Sequence, residues 1–233
     1  QKVRTTIIEK SSSIWLVSLL SVFLFRNHQF RNGHYGTDGY GTVLYLRKHL
    51  IMKFYDREQE TAKLQEIQQK SLLQAQMTII TGRRRIGKTQ LLLNVTAGQP
   101  TLYFFVARKA EADLVVDFQT IATRNLGIPF FGQVTSFAEL FRFLMEYSAM
   151  NPFNLIIDEF QEFFNINPSI YSEMQHYWDI NKDKSRMNLL LSGSVYSLMQ
   201  KIFQNSKEPL FGRTTAYIRL KPFRTDVLKQ ILS

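Results

Sequence analysis

The chain has 233 residues, no cysteine, a net charge of +10, and 45% hydrophobic and 13% aromatic side chains. That size and composition fit one packed domain with appendages and exclude a disordered chain. The lack of cysteine excludes a disulfide scaffold and any thiolate metal site, and it fits a reducing, cytoplasmic setting.

Residues 1–51 differ from the rest. They hold seven basic and two acidic side chains, half of the net charge. An apolar run of twelve, 14–25, follows Lys2, Arg4 and Lys10. A membrane-spanning helix needs about 20 residues, so no firm membrane association is expected. A basic start and a short apolar run resemble a signal peptide, but Arg26 and Arg31 follow with no small-x-small cleavage site. Residues 32–41 are rich in glycine and tyrosine and read as loop. Met52 is read as the natural initiator, with 1–51 a poorly structured leader and 52–233 the working domain; a membrane-associated leader is the alternative.

From Met52 onward the pattern is regular. Residues 56–70 are polar, with Ala62, Leu64 and Ile67 at helical spacing. Strands are predicted over 76–81, 101–106, 153–160, 187–192 and 216–220. Helices are predicted over 88–96, 111–124, 136–150, 169–179, 195–203 and 224–232. Ser136 and Glu139 form a capping box at the start of the third of these. Near-continuous apolar strands alternating with helices predict an α/β fold, a mainly parallel five-stranded sheet covered on both faces.

Between the first strand and the next helix lies Gly82-Arg83-Arg84-Arg85-Ile86-Gly87-Lys88-Thr89, which reads G-x-x-x-x-G-K-T, a phosphate-binding loop. Gly82 and Gly87 allow the backbone to curl around an anion. The loop N–H groups and the helix start, through Gln90, then face the phosphates. Lys88 reaches the β- and γ-phosphates, and the Thr89 hydroxyl ligates Mg²⁺. Once the three loop arginines are set aside, residues 52–233 are near charge balance. A basic footprint for nucleic acid is thus permitted but not required. His28, His34, His49 and His176 show no metal-ligand spacing.

The strand over 153–160 delivers Asp158 and Glu159 to its carboxyl end, where ligands sit in open α/β sheets. Asp158 is expected to hold Mg²⁺, and Glu159 to polarise the attacking water as general base. Ser192 and Ser194 end the strand over 187–192. If that strand lies between the phosphate-loop strand and the Asp158 strand, either hydroxyl can reach the γ-phosphate or the water; Ser194 can instead cap the next helix. Arg213 is a candidate for stabilising transition-state charge, in its own subunit or a neighbour, or is a loop arginine in solvent.

These motifs together resemble the archaeal-type ATPases, a branch of the AAA+/STAND-like P-loop proteins. Phe54-Tyr55-Asp56-Arg57-Glu58 is similar to their F-x-x-R-E opening, and Thr81 to Thr89 to their arginine-rich Walker A loop. Ile156-Ile157-Asp158-Glu159-Phe160-Gln161 resembles their Asp-Glu-Phe-Gln Walker B box, and Leu191-Ser192-Gly193-Ser194 their sensor strand. Pro209 to Arg213 and Leu220 to Phe223 resemble the closing segment. The resemblance implies a three-layer P-loop sandwich with AAA+-like strand order, and ATP rather than GTP; no Asn-Lys-x-Asp box is present. It places Arg57 near the adenine. It also implies a helical lid and a winged helix, expected outside this chain, with DNA contact through the winged helix and a homo-oligomer as further expectations. Three functions compete: an ATP-hydrolysing switch or motor, an ATP-binding scaffold with negligible turnover, and a nucleic-acid-associated ATPase.

Overall fold

In the computed structural model of the chain, residues 57–130, 132 and 134–223 are described. The elements run α1 (Glu58–Ser71), β1 (Gln76–Thr81), α2 (Lys88–Val95), β2 (Thr101–Phe105), α3 (Glu111–Leu126), α4 (Phe137–Ser148) and β3 (Phe153–Asp158). A 3-10 turn (Phe160–Glu162) follows, then α5 (Phe163–Ile166), α6 (Ser169–Asn181), β4 (Met187–Gly193), α7 (Tyr196–Gln204) and β5 (Ala216–Arg219). The five strands form one sheet in the order β2-β3-β4-β1-β5, and every neighbouring pair is parallel. β4 therefore separates β1 from β3, the arrangement on which the reading of Ser192 depends.

Every residue of β3 and β4 is buried, which is why they read as near-continuous apolar runs rather than as alternating ones. The alternation is instead between two buried faces. Met77, Ile79, Leu102, Phe104, Leu155, Ile157, Leu189 and Leu191 join the core made with α3, α4, α6 and α7. Phe104 stacks on Phe118 of α3 at 4.2 Å, and Phe137 of α4 meets Phe163 at 4.5 Å. The intervening residues face α1 and α2, whose Leu64, Ile67, Leu91 and Leu92 are buried. Because side chains repeat every second residue, Tyr103, Asp158 and Ser192 share the face of α2.

Three expectations are corrected in detail. The strand predicted over 153–160 ends at Asp158. Glu159 adopts left-handed angles (φ 56°, ψ 40°), which turns the chain into the 3-10 turn. Phe160 is then buried among Phe163, Tyr171 and Phe203, with ring centroids 5.5–5.7 Å away. Ser136 does cap α4, accepting from the Glu139 N–H at 3.2 Å. Glu139, however, reaches back to the N–H and hydroxyl of Thr135, one residue beyond the box that the spacing predicts. Lastly, Ser194 does not cap α7: the cap position is Val195, with no side-chain hydrogen bond. The readings of 1–51 and of a helix over 224–232 lie outside the described residues.

Candidate nucleotide site

The phosphate loop leaves β1 at its carboxyl end. Its backbone curls where the glycines permit: Gly87 has φ 94° and Gly82 φ 157°. Gly82 is also a close approach, since a Cβ there would lie 3.0 Å from the Leu220 carbonyl oxygen and 3.1 Å from Ile86 Cγ2. Arg85 holds a left-handed φ of 62° without being glycine, a strained conformation of the kind that clusters at ligand sites. Arg83, Arg84, Arg85 and Gln90 are exposed, whereas Ile86 is buried and anchors the loop.

Lys88 opens α2 and is 6% exposed. Its ammonium donates to the carbonyls of Gly82 at 2.9 Å and Arg83 at 3.1 Å, closing the loop on itself. Burial lowers its pKa from the ordinary lysine value; Glu159 and Asp158 oppose the shift, and Arg84 adds to it.

Asp158 is the centre of the arrangement. Its carboxylate, 4% exposed, accepts four hydrogen bonds. Thr89 Oγ1 and the Tyr103 hydroxyl each donate to Oδ2 at 2.8 Å. Ser192 Oγ donates to Oδ1 at 2.7 Å, and the Glu159 N–H does so at 3.0 Å. Residues from α2, β2 and β4 thus converge on one carboxylate at the end of β3. Oxygen donors in this pairing, a carboxylate beside a phosphate-loop hydroxyl, fit a hard cation such as Mg²⁺. Glu159 follows, its Oε2 accepting from Gln161 Nε2 at 2.5 Å and Ser194 Oγ at 2.7 Å.

Two predicted site residues lie outside this hydrogen-bonded cluster. Arg213 precedes β5, and Thr215 beside it donates its N–H to the Met77 carbonyl at the start of β1. Because β1 and β5 are parallel, Arg213 lies at the amino end of the sheet and the phosphate loop at the carboxyl end. Its guanidinium pairs with Asp179 at 2.7–3.1 Å and donates to the carbonyls of Pro209 and Phe211. The structure does not bring Arg213 to the phosphate loop of its own chain. Arg57, 5% exposed, donates to the Lys221 carbonyl at 2.7 Å and lies over the Phe223 ring at 4.6 Å. It thereby ties the start of α1 to the segment after β5. That segment borders a cleft of about 380 Å³ lined by Gly82, Arg83, Ser194, Tyr196, Arg219 and Lys221.

Sequence reasoning missed Tyr103, and it named Gln161 only within the Asp-Glu-Phe-Gln resemblance, without a role. A tyrosine inside the apolar run 101–105 carried the available signal, because a buried hydroxyl needs a partner.

A glycine-framed phosphate loop on a parallel sheet, with an acidic strand end across from its Thr89, defines the class of P-loop nucleoside-triphosphatase folds. Residues 54–233 match the family of ATPase domains found predominantly in Archaea, and the chain belongs to that family. An uncharacterized protein of Methanocaldococcus jannaschii, MJECL04, is 29% identical over 177 residues, covering 76% of this chain and 38% of that protein. Among solved structures, the Walker-type ATPase Paby2304 of Pyrococcus abyssi matches with a TM-score of 0.61 and 21% identity. That match covers 77% of this chain and 57% of that one. Cdc6p of Pyrobaculum aerophilum gives 0.56 and 20%, covering 78% and 49%. Drosophila ORC, solved bound to DNA, gives 0.56 and 13%, covering 77% and 46%. The chain thus spans well under two thirds of each of these proteins.

Proposed function

We propose that the chain binds ATP with Mg²⁺ and hydrolyses the terminal phosphate, acting as a nucleotide-dependent switch or motor. The observation that carries this reading is the Asp158 carboxylate, hydrogen-bonded to the phosphate-loop Thr89 and followed by Glu159. On binding, Lys88 exchanges the Gly82 and Arg83 carbonyls for phosphate oxygens, and the N–H groups of the loop and of α2 take up the remaining charge. Thr89 and Asp158 are the residues that would hold Mg²⁺, which when bound would neutralise phosphate charge. Glu159 accepts a proton as the water oxygen bonds to the γ-phosphorus and the bond to the bridging oxygen breaks, releasing ADP and phosphate. Ser192, buried against Asp158, keeps that carboxylate aimed. Arg213 can contribute only to a second copy's site, so its role requires a homo-oligomer.

Phosphate release by wild type, K88A and E159Q tests this. K88A is expected to lose binding and turnover, and E159Q to keep binding while turnover falls by roughly 100-fold or more. Wild-type release no faster than that of E159Q would leave the ATP-binding scaffold as the correct reading.

A nucleic-acid-associated role has one supporting observation. Arg83, Arg85, Arg219 and Lys221 are exposed at the carboxyl edge and make no ion pair among the described residues. The DNA in the ORC structure lends the idea precedent within the fold. Fluorescence anisotropy with DNA at two salt concentrations checks it; binding that ignores salt would argue against phosphate contacts. A cytoplasmic location belongs to the same proposal. Among the described residues no helix is long and apolar enough to cross a membrane.

A further inference from the structure

Glu159 is half-exposed, and its carboxylate is held by two side chains that converge on a single oxygen. Gln161 Nε2 and Ser194 Oγ both donate to Oε2. Oε1 has no hydrogen-bond partner among the described residues. That is the geometry a general base needs: one oxygen fixed, the other open to a water proton.

Ser194 is a candidate from its place after β4, whereas Gln161 enters only as the last residue of the Asp-Glu-Phe-Gln resemblance, with no role attached to it. It sits in the 3-10 turn after the left-handed Glu159 and is 1% exposed. Its amide orientation follows from chemistry, because a carboxylate only accepts, so the NH₂ faces Glu159. The amide oxygen is then turned away, buried and without a hydrogen-bond partner among the described residues. A buried acceptor left unsatisfied is destabilising, and the side chain's one hydrogen bond among the described residues is the donation to Glu159. Gly193 makes the space. A Cβ at Gly193 would lie 2.5 Å from Gln161 Oε1 and 2.5 Å from both Cγ and Sδ of Met199. Gly193 does not adopt a positive φ, so its missing side chain serves room rather than backbone freedom.

We propose that Gln161 is a positioning residue of the hydrolytic site. It locks Oε2 of Glu159 and leaves Oε1 open, and the bare Cα of Gly193 gives it room to do so. This rests on the reading of Glu159 as the general base.

The test uses the whole chain with Q161L and Q161E, both close in shape to glutamine, alone and combined with E159Q. Binding of a fluorescent ATP analogue and single-turnover phosphate release are measured, with rates normalised to protein that binds nucleotide. Each single variant is expected to keep its affinity within about twofold of wild type. The release rate should fall roughly 10–100-fold, the usual effect of removing a group that orients a reacting one. Neither variant should slow E159Q further, since the group being positioned is already gone. G193A, which crowds the same amide, should slow release in the same direction. Unchanged release in Q161L beside a large loss in E159Q would overturn the role of Gln161 and leave the ATPase reading standing. That role fails equally if Q161L slows E159Q as much as it slows wild type. Wild-type release equal to that of E159Q would overturn both.

Discussion

The sheet carries a buried polar cluster at each end of the same strands, on the same face, and the two are built differently. At the amino end, Asn154 Oδ1 accepts from Gln68 Nε2 at 2.8 Å and Asn188 Nδ2 at 2.9 Å. The Asn154 amide nitrogen donates to the Pro100 carbonyl at 3.2 Å, and Gln99 completes the set through Gln68. Four residues along the same strands, Asp158 and Ser192 form the carboxyl-end cluster with Thr89, Tyr103 and Lys88. The amino-end network is neutral and ties α1 to β3, β4 and the turn before β2, with the Asn188 amide oxygen the one buried atom of the set left unpaired among the described residues. The carboxyl-end cluster gathers charge, with a lysine folded back on loop carbonyls and a glutamate with one free oxygen. Buried polarity thus marks structure where amides satisfy one another, and a ligand site where charges remain to be matched.

The contrast is most easily broken at Glu159. E159Q should lower turnover by roughly 100-fold or more with little change in melting temperature, as read by phosphate release and thermal unfolding. Next is Phe160, which anchors the turn that presents Glu159. F160A should cost about 3–5 kcal/mol of stability in denaturant unfolding, since its ring is fully buried. At the amino end, N154L removes the acceptor that Gln68 and Asn188 share and leaves Asn188 Nδ2 without one. It should destabilise the fold by about 1–3 kcal/mol while leaving nucleotide affinity intact.

Much of the carboxyl-end site is legible in the sequence because its signals are local. Residues 82–89 carry their geometry in their own spacing, and Asp158 is marked by the end of an apolar strand. The contacts of Tyr103 and Gln161 are not legible, because they depend on sheet register and on a left-handed turn at Glu159; Gln161 is marked only by the Asp-Glu-Phe-Gln resemblance. Whether Arg213 serves its own phosphate loop is not legible for a related reason. Its distance from the phosphate loop follows from β5 running parallel to β1, which no motif around Pro209-Leu210-Phe211-Gly212-Arg213 encodes. The strand order and the parallel sense follow from the alternation of apolar strands with helices and from the family resemblance. Strand ends differ by one or two residues; in β3 the buried Phe160 of the 3-10 turn extends the apolar pattern past Asp158.

Smaller effects sharpen the comparison. Lys88 binds phosphate only when charged, and burial lowers its pKa, so affinity holds at low pH and is lost as pH rises through that lowered value. The loss should therefore begin below the ordinary lysine value of about 10.4. R84Q removes a repelling charge and should move the loss to higher pH, as read by nucleotide titrations across pH. R213A breaks a partly exposed ion pair with Asp179 and should change stability by less than about 1 kcal/mol. Its effect on turnover should appear only at protein concentrations where copies associate.

The division between the two ends is tested most directly by titrating MgATP into wild type, K88A and N154L and melting each protein without nucleotide. K88A is expected to lose ATP binding and melt like wild type, whereas N154L is expected to bind ATP like wild type and melt earlier. ATP affinity that survives K88A, or that falls with N154L in protein shown to be folded, would contradict the account.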